Sequence, residues 1–426
     1  MDLLPEDVVA NVLSLLAPRT LAVSRAVCKA WRAVADADAR CQLRTDLLPV
    51  TVGGVFIMTN EPEDPAFFVR PSMAHRIAGN VGWYLRKDGF FDDIPRVVDC
   101  CNGLLLLDDA DQVVNPATKQ WARLPPCPIL RRTDGYHYKF LAFDPMVSPH
   151  YQVLAMRGPP DRKDELSEQG LEWPPSVYKV CIYSSSTGRW EQRPFILEEG
   201  TPTTAAANVL PRLDPARQHA AYWDGKLYVY WVDVITRMSL SNDKYQVINL
   251  PTGIDANSSY YHLRLGKSRN GLHFVVVDDQ NRLQVWFLAE IGGKTQWVLK
   301  HNANLEALTL SRSTDRPWVV QHGNYDRRSN REPVLEKEMD WDSDDENAVD
   351  AEERGRKHSC LYIEVFGFHP YRDIVFLFVR DSVLAYYSDS SKVQDLGEVH
   401  IRHRYQVIDE AFIYTPCWVG ELSGNN

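Results

Sequence analysis

Residues 99–107 read DCCNGLLLL and residues 113–121 read VVNPATKQW. The first stretch is a strand, a tight turn and a second apolar strand. Asn102-Gly103 marks the turn, because Asn and Gly supply the positive φ angles of a two-residue hairpin. The turn recurs before apolar strands at Asp224-Gly225-Lys226-Leu227 and Asn270-Gly271-Leu272. A second element recurs with it. Val113-Val114-Asn115-Pro116-Ala117-Thr118 leads to Trp121, and Ile182-Tyr183-Ser184-Ser185-Ser186-Thr187 leads to Trp190. Each is a strand, a polar turn and then Thr-x-x-Trp. Val285-Trp286-Phe287-Leu288 leading to Trp297 is a looser echo, and Val247-Ile248-Asn249-Leu250-Pro251 echoes the ending Arg123-Leu124-Pro125.

Short strands separated by turn signals suit a sandwich, a barrel or a propeller. The echoes fit outer strands of repeated four-stranded sheets, with units near 97–125, 140–196, 218–251, 262–301 and 359–398. A sixth unit would pair residues near 404–420 with strands near 50–70. Joining the two ends closes a ring and leaves no long edge strand. The expectation is a mainly β chain with a propeller of about six blades. A large sandwich is the rival, and the repeated hairpins favour the propeller.

Before this body stands a different pattern. Val8, Val12, Leu15 and Leu16 fall at helical spacing on one face. Pro5 suits a first helical turn, and Glu6 and Asp7 complement the positive end of the helix dipole. Pro18 disfavours helix in the residue before it. A second short helix is expected over Thr20–Arg25 and a third over Val27–Ala35, with Val27, Trp31 and Val34 on one face. Three short helices in some forty residues bury too little to stand alone. They should lean on the β-body or on a partner.

Both parts carry a resemblance. The run Leu4-Pro5-Glu6-Asp7, Val12-Leu13, Leu15-Leu16-Ala17-Pro18, Leu21, Arg25, Val27-Cys28 and Trp31-Arg32 closely resembles the F-box motif. Ala17 stands where that family usually has Leu or Ser, and Val12 where it has Ile. The resemblance implies docking on a Skp-family adaptor and, through it, a cullin. Carried over position by position, the adaptor contacts would be Leu4, Pro5, Glu6, Leu13, Leu16, Pro18, Leu21 and Val27, with Trp31 locking the helices together. The stretch from Asp99 through Leu106, with Asn115–Trp121 and Leu124-Pro125, resembles the opening of the F-box-associated domain of plant F-box proteins. Phe143-Asp144-Pro145, Tyr151-Gln152-Val153-Leu154, YSSSTGRW (183–190) and Asp224–Tyr228 continue it. The implied organisation is an F-box over residues 1–48 and an F-box-associated propeller over 49–420. The implied function is substrate recognition for a Skp–cullin–F-box ubiquitin ligase. A scaffold that binds through the propeller without ubiquitin transfer is the alternative.

Charge sharpens this organisation. The chain has a net charge of -10, and residues 336–353 alone hold ten Asp/Glu against one Lys. Such a stretch cannot bury enough apolar surface to offset its ordering entropy, so an acidic disordered insertion is expected at about 326–357. Ser343 precedes Asp344-Asp345-Glu346, a site that suits an acid-directed kinase. An acidic chain argues against a general nucleic-acid binder. The longest apolar runs, such as IVFLFV (374–379), are too short to span a bilayer. Acids follow the initial Met where a signal peptide needs bases, so action in cytoplasm or nucleus is expected. The eight cysteines show no zinc spacing and read as reduced thiols, Cys100 and Cys101 included.

Catalytic signals are sparse. There is no GxGxxG, phosphate-binding GK[ST] loop, GxSxG elbow or HExxH. His400 and His403 read as surface residues, and Asp108-Asp109 and Asp278-Asp279 as turn residues. No catalytic residue, cofactor or metal site is assigned, and no substrate-binding residue can be named. A propeller hydrolase would need carboxylates converging on its central channel.

Overall fold

The computed structural model describes residues 5–14, 24 and 28–37 of the N-terminal head. Of the rest it describes 51–60, 65–74, 76–81, 96–108, 111–127, 137–158, 174–198, 219–231, 234–254, 261–292, 294–305, 318–321, 349–350, 362–400, 407–418 and 422. The strands build six antiparallel blades. Blades 1 to 5 span residues 97–123, 137–197, 220–249, 262–304 and 363–398, and within each the strands lie in chain order. Blade 6 is assembled from distant pieces. Its order is Val319–Gln321, Ala66–Val69, Gly54–Thr59 and Ile408–Tyr414.

A common axis follows from which strands meet. The first strands of blades 1 to 5 touch in turn, and Ile408–Tyr414 touches the first strands of both blade 5 and blade 1. The ring is closed. Face-packed sheets would not give this circular order, so the sandwich rival fails. The core is likewise divided. Six apolar clusters each straddle two neighbouring blades, as Phe68, Phe376 and Phe378 do between blades 6 and 5. Each of these rings is fully buried, and burying one contributes roughly 1.5–3 kcal/mol.

Local chemistry explains the hairpins. Asn102 (φ 47°) and Gly103 (φ 89°) form a two-residue turn between the paired Cys101 and Leu104. Asp224 (φ 51°) and Gly225 (φ 70°) do the same between Trp223 and Lys226. Asn270-Gly271 departs from the expectation. There the turn residues are Arg269 and Asn270, and Gly271 has joined the strand opposite Ser268 at φ 146°. A Cβ on Gly271 would come within 3.1 Å of the Phe287 ring, so glycine serves packing as well as backbone freedom. Gly103 is constrained twice. Besides its positive φ, a Cβ there would lie 2.6 Å from Cys417, in the segment that follows the closing strand.

The recurring tryptophans stand on fourth strands and reach back one blade. The Trp190 indole N–H donates to Pro125 O at 2.7 Å, tying blade 2 to the end of blade 1. The Trp297 indole N–H donates to Asn249 O at 2.8 Å, tying blade 4 to blade 3. Trp121 packs against the cluster that blade 1 shares with blade 6. In the turn before it, Asn115 Oδ1 accepts the Ala117 N–H at 3.1 Å while its amide donates to Cys417 O at 3.0 Å.

Two outer edges carry additions. The last strands of blades 2 and 3 pair in parallel over Ile196–Leu197 and Lys244–Tyr245. Of the insertion expected at 326–357, only Val349–Asp350 is described. These two residues pair with Val393 and Lys392 as a fifth strand of blade 5.

In the head, α1 (Glu6–Ser14) packs on α2 (Lys29–Ala37). The helix expected over Thr20–Arg25 lies outside the described residues except for Ser24.

Candidate functional site: the ring channel and the helical head

Because the inner strands run side by side around the axis, their inward side chains meet in a channel. Glu410 is at its centre. Arg264, from blade 4, donates to Glu410 Oε1 at 2.6 Å and also to Ala411 O. His219, just before blade 3, places Nδ1 3.2 Å from the same oxygen. The three come from three different blades, so the cluster spans the axis. All three side chains are at most 11% exposed. Burial raises the Glu410 pKa, but Arg264 and His219 outweigh it and hold the carboxyl below its ordinary range. Burial and the Arg264 charge push His219 down, so it is neutral at pH 7.

Asp99, on the blade 1 inner strand, is the second channel carboxyl. Its Oδ2 accepts the Leu141 N–H at 2.7 Å and its Oδ1 the Cys100 N–H at 2.8 Å. Burial nonetheless lifts it to about 7, with the Glu410 charge adding to the rise and Arg264 opposing it. Two carboxyls with separated pKa values are the pattern of an acid–base pair. Here both are already engaged, one by Arg264 and His219 and the other by two backbone donors. Among the described residues no group of three His, Cys, Asp or Glu could hold a metal ion. A cavity of about 110 Å³ adjoins this layer, lined by Asn102, Lys267, Tyr222, Phe368, Pro370 and Thr415 among others.

Cys100 and Cys101 flank this site as packing residues. Cys101 donates to Phe143 O at 3.4 Å and Cys100 to Ile413 O at 3.7 Å. Burial drives the Cys101 thiol up to about 12 and raises Cys100 well above the thiol range, so neither is a nucleophile at neutral pH. All six described cysteines are free thiols. Asp278 accepts the Arg282 side chain at 2.8 Å, as a turn residue does, and His400 lies beside Glu398 on the surface.

The head presents the other candidate site. Ala10 and Leu13 are buried against Trp31 and Val34, so Trp31 locks the two helices together. Of the residues expected to contact an adaptor, Leu13 is 1% exposed and faces this inner seam, whereas Pro5 is exposed. Glu6 lies in the first turn of α1; Leu4, Leu16, Pro18, Leu21 and Val27 lie outside the described residues. The stripe read from the spacing is the outward one: Val8 is 37% and Val12 52% exposed. The helical period located a stripe but could not say that Ala10 and Leu13, not Val8 and Val12, would turn inward.

A family model described as F-box protein At3g26010-like, beta-propeller, matches residues 81–320, more than half of the chain. The chain belongs to this family. An F-box-like model matches residues 1–40, over the helical head. This F-box propeller protein is also 24% identical over 328 residues to "F-box protein At5g07610" of Arabidopsis thaliana, covering 72% of the chain and 71% of that protein. Among solved structures, Citrobacter koseri AztD is similar at a TM-score of 0.30 and 7% identity, over 72% of each chain. A chain of a Mitotic Checkpoint Complex is similar at 0.31 and 11%, over 84% of each. Those two likenesses are too slight to bear on the reading.

Proposed function

We propose that this F-box propeller protein is the substrate-recognition subunit of a Skp–cullin–F-box ubiquitin ligase. The head binds the Skp-family adaptor, the propeller binds a target protein, and the chain itself does no bond chemistry. Tethering would raise the effective concentration of target lysines near a charged conjugating enzyme. Cytoplasm or nucleus is the proposed place of action. The observation that carries the adaptor reading is the two-sided α1. Its inner face is filled by α2, while Val8 and Val12 leave an apolar outer face for a partner to cover.

The test is a titration of purified Skp-family adaptor against the full chain and three variants. Leu4→Ala with Pro5→Ala should weaken binding by roughly 2 kcal/mol or more, about thirtyfold. Val12→Glu should do the same by placing a charge in an apolar contact. Arg40→Ala with Arg44→Ala should change little, since exposed ion pairs contribute about 0–1 kcal/mol. Unchanged affinity in the first two variants, with loss in the third, sinks the docking mode. A scaffold that needs no ubiquitin transfer would keep its function when the adaptor face is removed; a ligase subunit would lose target turnover.

A further inference from the structure

The cavity beside the ion cluster has a direction. Its wall begins at Arg264, Glu410 and His219 and continues through Lys267, Asn102 and Thr415. Of the residues that begin the inner strands, Ala220 lines it, and Val97, His137, His262, Ile363 and Ile408 do not. It therefore opens at the end where the inner strands turn outward, in front of the Asn102-Gly103 and Asp224-Gly225 hairpins.

At that mouth stands an ammonium group with no carboxylate of the described residues beside it. Lys267 Nζ donates to Asn102 Oδ1, and among the described residues no carboxylate pairs with it. Asn102 is held in turn, its amide donating to Phe143 O at 2.5 Å. The other cation on the wall, Arg264, is matched by Glu410. Of the two, Lys267 is therefore the one with no described carboxylate beside it, and the cavity has room for one anion. Three exposed aromatic residues lie close in the chain to this lining. Trp223 and Tyr371 each follow a lining residue directly, and Trp418 comes three residues after Thr415. They are 37%, 41% and 41% exposed. Asp144 acts electrostatically on Cys101 and Tyr371 nearby, and Asp224 sits 3.6 Å from Lys226. The Asp144 carboxylate disfavours a ligand with more than one negative charge.

We propose that this mouth is where the target docks, and that it takes a single peptide carboxylate on Lys267 with flanking apolar side chains laid over Trp223, Tyr371 and Trp418. The proposal rests on the target-binding reading above and names its site. A phosphorylated residue, doubly charged and bulkier, is not the expected occupant.

The experiment selects binders from a random ten-residue peptide library against the full chain. The enriched sequences are then synthesised as Glu/Gln or Asp/Asn pairs, with free or amidated ends, and titrated by fluorescence anisotropy. Removing the carboxylate should weaken binding to the wild-type chain about tenfold or more. Lys267→Met should show the same loss and should no longer distinguish the paired peptides, at an unchanged melting temperature. Lys267→Arg and Lys226→Met should still distinguish them. Four results would overturn the site: no enriched peptide, enriched peptides without a carboxylate, a Lys267→Met chain that discriminates like wild type, or tighter binding of a phosphoserine substitute. The adaptor titration on the same preparation reads the ligase proposal separately. Adaptor binding without peptide discrimination removes only the site; the reverse removes only the ligase assignment.

Discussion

His369 is buried, and its Nδ1 accepts the Tyr371 N–H at 3.1 Å, a bond that protonating that nitrogen would break. Burial pushes its pKa from 6.5 to about 4. The unfolded chain therefore binds a proton that the native state refuses between pH 6.5 and about 4, and stability falls as the pH falls through that window. The full loss from this one residue is roughly 3 kcal/mol. His219, His273 and His301 are depressed in the same direction by burial, so they add to the acid limb. Asp99 works oppositely. Its carboxyl is raised from 3.8 to about 7, so the native state holds the proton more tightly and stability falls as pH rises between those values. Melting curves from pH 4 to pH 8 should show a steep acid limb that flattens in His369→Gln. Asp99→Asn should remove the opposing slope while lowering stability at every pH, because an amide cannot accept from both Leu141 and Cys100. None of this was legible in the sequence. Arg264 and Glu410 are 146 positions apart, and only ring closure brings them together.

Turn chemistry is local, and for that reason the elements could be read. Asn102-Gly103 and Asp224-Gly225 have the positive φ angles their residue types announce. The Thr-x-x-Trp echo was legible as an outer strand, but its purpose was not, because Pro125 and Asn249 belong to preceding blades. Trp190→Phe keeps most of the ring and loses one hydrogen bond, so it should cost about 1 kcal/mol in denaturant unfolding. Trp190→Ala also opens space between blades 1 and 2 and should cost about 3 kcal/mol or more. In the head, Trp31→Ala should melt the contact between α1 and α2 and lower adaptor affinity with it. Weaker adaptor binding by the full chain, with the propeller's melting unchanged, would check this.

At the scale of the molecule, the six-blade ring and its two-ended closure were legible from repeats and from strand signals left over at each end. The third contributor to blade 6 was not. Val319–Gln321 leaves the chain between blades 4 and 5 to cover Ala66–Val69, and nothing in three residues announces that. Deleting residues 408–426 should strip the partner from Gly54–Thr59 and open the ring. The expected outcome is self-association in size-exclusion chromatography, through the exposed strand edges. A monomeric product that melts like the full chain would contradict it. The wide separation of the blade 6 pieces also bears on how the protein is made. Gly54–Thr59 leaves the ribosome early, and Ile408–Tyr414 emerges only after roughly 350 further residues, or about 20–70 s at 5–20 residues per second. Throughout that interval the early strands expose an unpaired edge and the blade 5 face of their apolar cluster, surfaces that chaperones hold and proteases attack. A message cut short anywhere before Ile408 yields a chain that never leaves this state, so closure alone separates a finished copy of this chain from an unfinished one.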